Sequence, residues 1–141
     1  MDSPGARHPC RVSRADREPV VPAATRRAHD KERYPRLARE LETIRAMVRI
    51  HCRDRHATRA RLCGECQALM DYATRRIDRC VFGEDKPTCA RCTVHCYNAA
   101  MRERVRTVMR YAGPRMLWRH PILAIAHMID GRREAAKLPR R

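Results

Sequence analysis

Beyond residue 30 the hydrophobic positions of the chain recur at intervals of three and four. Leu37, Leu41, Ile44 and Val48 make one apolar stripe, while Arg36, Arg39, Glu40, Arg45 and Arg49 are expected to face outward. The spacing predicts a helix from about Lys31 or Tyr34, with Pro35 in its first turn and the stripe ending at His51 and Cys52. A second helix is expected from about Glu65 to Arg79, where Leu69, Tyr72, Ala73, Arg76 and Ile77 form a mixed face that ends at Cys80. Phe82 to Pro87 is rich in turn formers. The period returns between Cys96 or Tyr97 and Tyr111 through Met101, Val105, Val108 and Met109, and Gly113-Pro114 is expected to stop that helix. A last apolar pattern, Met116 to Ile129, is too short to span a bilayer and reads as a packing helix, with Trp118 and the methionines in the core. A surface-lying or partner-binding amphipathic segment is the alternative there. No β-alternation of any length occurs, so the fold class is all-α: about four helices with two cysteine knuckles between them forming a metal site.

This periodicity divides the chain into a disordered basic tail over residues 1–30, a single helical cysteine-rich domain over 31–131 and a basic tail over 132–141. The chain of 141 residues is 43% hydrophobic but only 4% aromatic, with one Phe and one Trp, so its core rests on aliphatic residues and methionine and is modest. A bound metal would help to hold such a fold. The net charge of +16 and a pI near 10.7 imply an electrostatic partner. The candidates are a nucleic acid or an acidic protein, met through an Arg-rich surface; Lys31, Lys86 and Lys137 are the only lysines, and a solvated basic surface is an equal alternative to nucleic-acid contact. The N-terminus has no apolar signal region and no run is long enough for a transmembrane helix, so a cytoplasmic protein is expected. In that compartment, closely spaced cysteines are metal ligands or redox thiols more often than disulfides.

Six of the eight cysteines fall between Cys63 and Cys96: Cys63-x2-Cys66, then Cys80, then Cys89-x2-Cys92-x3-Cys96. Cys52 lies just upstream. Two C-x2-C pairs make a zinc-site spacing, because each short loop presents two thiolates and the intervening chain closes the tetrahedron. The gap from Gln67 to Thr88 is longer than usual for that pattern, and the surplus cysteines leave room for an iron–sulfur cluster or a second metal. The candidate metal ligands are therefore Cys52, Cys63, Cys66, Cys80, Cys89, Cys92 and Cys96, with zinc or an iron–sulfur cluster as the cofactor.

The end of the run matches the last part of a bacterial ferredoxin motif, although the preceding cysteine is Cys80 and not one three residues upstream. Were Pro87 to Tyr97 one helix, Cys89 and Cys96 would stand roughly 10 Å apart along its axis. That is too far for a shared zinc ion, so either the knuckle is a loop or Cys96 serves a larger cluster or another site. His51, His56 and His95 adjoin cysteines in sequence and are read as outer-shell or surface groups. Cys10 and His8 lie in the tail and are read as incidental. Glu65, Glu84, Asp85 and His95 offer acid-base chemistry, but no nucleophile elbow, phosphate loop or paired-carboxylate spacing accompanies them, and no catalytic residue is assigned.

The run Gly83-Glu84-Asp85-Lys86-Pro87-Thr88-Cys89, then Cys92, Val94-His95-Cys96-Tyr97 and Val108-Met109-Arg110-Tyr111-Ala112-Gly113-Pro114-Arg115-Met116, resembles the nitrous oxide-stimulated promoter family of small cysteine-rich bacterial proteins. The resemblance covers roughly His51 to Asp130, including the Cys63-x2-Cys66 knuckle and Tyr72-Ala73. It implies expression induced by nitrogen oxides and a part in the response to nitrosative stress. The resulting expectation is a cysteine-cluster metalloprotein that senses or binds in that response. A zinc-stabilised, basic nucleic-acid-binding regulator is the alternative, and a redox or repair enzyme a third.

Overall fold

The computed structural model of the protein describes residues 27–94 and 96–132. The expected tails, with His8 and Cys10, fall almost wholly outside the described residues, as does His95. Among the described residues are four α-helices, α1 (Pro35–His56), α2 (Gly64–Asp78), α3 (Ala99–Arg119) and α4 (Pro121–Gly131), with 3₁₀ turns at Arg27–His29, Gly83–Asp85 and Cys89–Arg91 and no strand. The protein is all-α, as its periodicity predicts.

The longest helix, α1, is the axle of the fold and packs against α2, α3 and α4. Pro35 occupies its first turn, where a missing N–H costs nothing, and Ala57 in the left-handed conformation (φ 56°) ends it. The helix runs past the expected end at Cys52 to His56. The predicted stripe of Leu37, Leu41, Ile44 and Val48 is buried, and each such side chain contributes about 1.5–3 kcal/mol by leaving water.

Arg36 and Glu40, expected to face outward, are each only 4% exposed. Residues far along the chain close over them. Arg36 pairs with Asp130 and donates from Nη2 to the Lys86 carbonyl at 2.9 Å. Glu40 pairs with the Lys86 ammonium at 3.5 Å. The Glu84 carboxylate accepts from the backbone N–H groups of Arg36 (2.8 Å) and Leu37 (3.2 Å), two donors that the first turn of a helix leaves unpaired.

Cys63 precedes the first turn of α2, and Tyr72, Ala73 and Ile77 of this helix join the core. Asp78, at its end, accepts from the Ala28 N–H at 2.8 Å and so fastens the Arg27–His29 turn. Asn98 starts α3, its side chain accepting from the Met101 N–H at 2.8 Å.

Helix α3 does not stop at Gly113-Pro114 but continues to Arg119 with Pro114 inside it. The reason is a stripe that crosses the proline: Met101, Val105, Val108, Ala112 and Met116 are all buried on one face. Packing of Ala112 and Met116 offsets the roughly 3 kcal/mol that an interior proline costs. The Arg115 guanidinium donates to the Tyr111 carbonyl at 2.7 Å, next to the interrupted backbone ladder.

The break comes instead at His120, with Pro121 opening α4. Trp118 is 89% exposed and not a core residue, and Ile122, Ile125, Met128 and Ile129 of α4 also face outward. Ala124 and Asp130 alone are buried in α4, because its inner face meets the polar ion-pair layer of α1. No helix among the described residues is long and apolar enough to cross a membrane.

Candidate metal centre

Cys52 and His56 sit four residues apart on the last turns of α1, a spacing that puts both side chains on one face. The chain reverses at Ala57 and returns so that Cys63 stands at the start of α2 and Cys66 in its first turn. The Thr58 hydroxyl, 2.9 Å from Cys52 Sγ, and the Cys63 N–H, which donates to Cys52 Sγ at 3.3 Å, tie the return loop to α1. His56 Nδ1 then lies 3.1 Å from Cys63 Sγ and 3.4 Å from Cys66 Sγ.

All four ligand atoms, from Cys52, His56, Cys63 and Cys66, fall within 4.8 Å of one another. Among the described residues this is the one such group. A tetrahedral zinc ion with bonds of about 2.0–2.3 Å holds neighbouring ligand atoms roughly 3.5–3.8 Å apart, so a three-sulfur, one-nitrogen site needs only a small adjustment of these side chains. Cys52 and Cys66 are buried, His56 and Cys63 half-buried. The four could hold a metal ion.

Electrostatics point the same way. Burial, followed by the neighbouring Cys63 and Cys52, pushes the Cys66 thiol well above its ordinary value, so without an ion it keeps its proton at neutral pH. A metal ion held by these residues would supply the charge that three converging thiolates require and would displace that proton. His51 backs the site: its ring stands edge-on to His56 at 5.4 Å and to Tyr111 at 5.6 Å. Burial first, and His56 and Arg55 next, lower the His51 pKa. A neutral ring packed behind the ligand histidine follows.

The spacing of Cys63-x2-Cys66 and Cys89-x2-Cys92 reads as one shared ion, but the structure separates the two pairs. Helix α2 lies between them as a rod of 15 residues, which keeps its ends roughly 20 Å apart. Cys80, Cys89, Cys92 and Cys96 instead line a second cavity of about 220 Å³ beyond the C-terminal end of α2. The second knuckle is a loop: after the turn Cys89–Arg91 the chain is extended at Cys92, and Cys96 lies before the start of α3.

His56, read from sequence as an outer group, joins the ligand atoms. Its signal was the Cys52-x3-His56 spacing on a predicted helix, which the early expected end of α1 concealed. Beside the centre, Arg45, Arg49, Arg53, Arg59, Arg61 and Arg75 line an open cleft of about 1050 Å³ that Cys52 also borders.

Fold and site together define a small all-α, cysteine-rich protein with a candidate three-cysteine, one-histidine metal centre. The chain belongs to the nitrous oxide-stimulated promoter family, whose sequence model matches residues 35–140, from the first residue of α1 onward. It is 47% identical over 107 residues to the uncharacterized protein YgbA of Escherichia coli K12, an alignment that spans 74% of this chain and 88% of that protein. No solved structure matches the chain.

Proposed function

We propose that the protein is a cytoplasmic zinc-thiolate protein of the nitrosative-stress response, in which Cys52, His56, Cys63 and Cys66 hold one structural and reactive zinc ion. The convergence of these four ligand atoms within 4.8 Å carries the reading. Its ligand set is one that zinc commonly takes. The family description, a nitrous oxide-stimulated promoter, supplies the context of nitrogen-oxide stress. Zinc-bound thiolates are nucleophiles, and an S-nitrosothiol can pass its nitroso group to one of them, with release of the donor's thiolate and weakening of the site. Sensing then consists of zinc loss and loosening of the loop between α1 and α2.

The test is to purify the full chain without oxygen, measure zinc, and add an S-nitrosothiol in the presence of a chromogenic zinc chelator. One zinc per chain, released in step with S-nitrosation and absent from Cys66→Ser, is the expected result. Protein that carries no zinc, or zinc indifferent to the nitrosothiol, would overturn the reading.

One observation favours a second reading, the zinc-stabilised nucleic-acid binder: the six-arginine cleft beside the centre. Phosphate binding there predicts an affinity for single- or double-stranded oligonucleotides that falls linearly in log–log with salt. Replacing Arg45 and Arg49 together should reduce that slope by about 2 if each neutralises one phosphate. A salt-independent or absent affinity would dismiss this reading and leave the zinc-thiolate one untouched.

A further inference from the structure

We propose that Cys80, Cys89, Cys92 and Cys96 hold an iron–sulfur cluster, a second metal centre distinct from the Cys52–His56–Cys63–Cys66 site. The four cysteines border a common cavity of about 220 Å³ whose remaining wall includes Ile77, Val105 and Met109. A single tetrahedral ion draws its thiolates to within about 3.8 Å of one another. Among the described residues no three of these four cysteines form such a group with one another, since the one group within 4.8 Å is the other centre. Four cysteines spaced more widely around an open volume suit a core of several atoms, and a four-cysteine set is what both [2Fe–2S] and [4Fe–4S] clusters use.

A second observation comes from Tyr97, which also lines the cavity. The residue is 9% exposed, and its hydroxyl is buried with no hydrogen-bond partner. An unpaired buried hydroxyl is costly, and the ring is held in place edge-on to Tyr72 at 5.4 Å. A cluster sulfide or cysteine sulfur would accept from it.

The charge around the cavity fits an anionic group. Lys86 Nζ, itself buried, donates to Cys89 Sγ at 3.5 Å while pairing with Glu40, and Arg76, Arg102 and Arg106 stand on the cavity wall. Four thiolates on an iron–sulfur core carry net negative charge, which these cations would balance. Hydrogen bonds to the sulfurs and exposure to solvent set the potential of such a cluster, and here the Tyr97 hydroxyl, the Lys86 ammonium and the exposed Cys96 are the determinants.

The proposal does not rest on the zinc reading, and the two fail separately because zinc, iron and sulfide are measured independently. The experiment is anaerobic purification of the full chain, reconstitution with ferrous iron and sulfide, and assay of iron, acid-labile sulfide, zinc and the visible spectrum. Iron and sulfide bound in equal amounts with a broad visible absorption are expected. Cys89→Ser/Cys92→Ser should lose both while keeping zinc. Tyr97→Phe should keep the cluster and shift its reduction potential to a more negative value. Should the double variant fail to fold, X-ray absorption at the iron edge of the unaltered protein decides, with a sulfur shell and an iron–iron vector expected. Absence of iron and sulfide after reconstitution, a second zinc in their place, iron without an iron–iron vector, or iron retained by the folded double variant would each overturn the assignment.

Discussion

At the scale of single residues, the fold depends on charged side chains that find partners far along the chain. Asp130 meets both Arg36 and Arg39 and lies in a buried polar layer. Asp130→Ala leaves the Arg36 guanidinium buried without its carboxylate, and a loss of about 3–5 kcal/mol is expected in urea denaturation. Glu84→Ala removes the acceptor for two backbone N–H groups at the start of α1 and should cost about 1–2 kcal/mol in the same measurement. Metal affinity carries a sign with pH. Because burial raises the Cys66 pKa, zinc held as proposed would have to expel its proton, so affinity in a chelator competition should rise from pH 6.5 to pH 8.5, with proton release into weak buffer on loading. The cysteine spacing pointed to Cys52, Cys63 and Cys66, three of the four residues of the candidate centre. Arg36 and Glu40 were not legible, because a helix stripe says which positions are apolar but not which polar ones a later segment will cover. His56 was hidden for a related reason: its place in the candidate centre depends on α1 running one turn beyond its apolar stripe.

At the scale of elements, the least local feature is α3. Gly113-Pro114 is a strong stop signal when read alone, and the helix crosses it because Ala112 and Met116 continue the buried face on either side. Packing thus overrides a local rule. Two variants separate these contributions. Met116→Ala should cost about 2–5 kcal/mol through the cavity it leaves. Pro114→Ala should stabilise the protein by about 1–3 kcal/mol, because it restores an N–H to the backbone ladder. Calorimetric melting of the two variants checks both signs, and a destabilised Pro114→Ala would mean that the proline itself is required for α3 to seat on α1. The four helices, their order and the boundaries of α2 were legible from period alone. The junction at His120 was not, because the run over residues 116–129 was read as one helix across Arg119-His120-Pro121, where Pro121 in fact opens a new helix.

At the scale of the molecule, α1 forms a spine, and the two groups of cysteines lie at opposite ends of α2, where the chain enters and leaves that helix. The small aromatic content and the polar layer under α4 leave little apolar burial to close those ends. On the zinc reading proposed above, treatment with a strong chelator is therefore expected to lower the melting temperature and to expose the loop at residues 57–62 to protease before α3 is cut. The exposed indole of Trp118, the single tryptophan of the chain, gives the protein an unusual optical character. Its emission already reports water in the folded state, so unfolding that is plain by circular dichroism should scarcely move the tryptophan spectrum, whereas anything that settles over the α3–α4 junction should shift it to the blue.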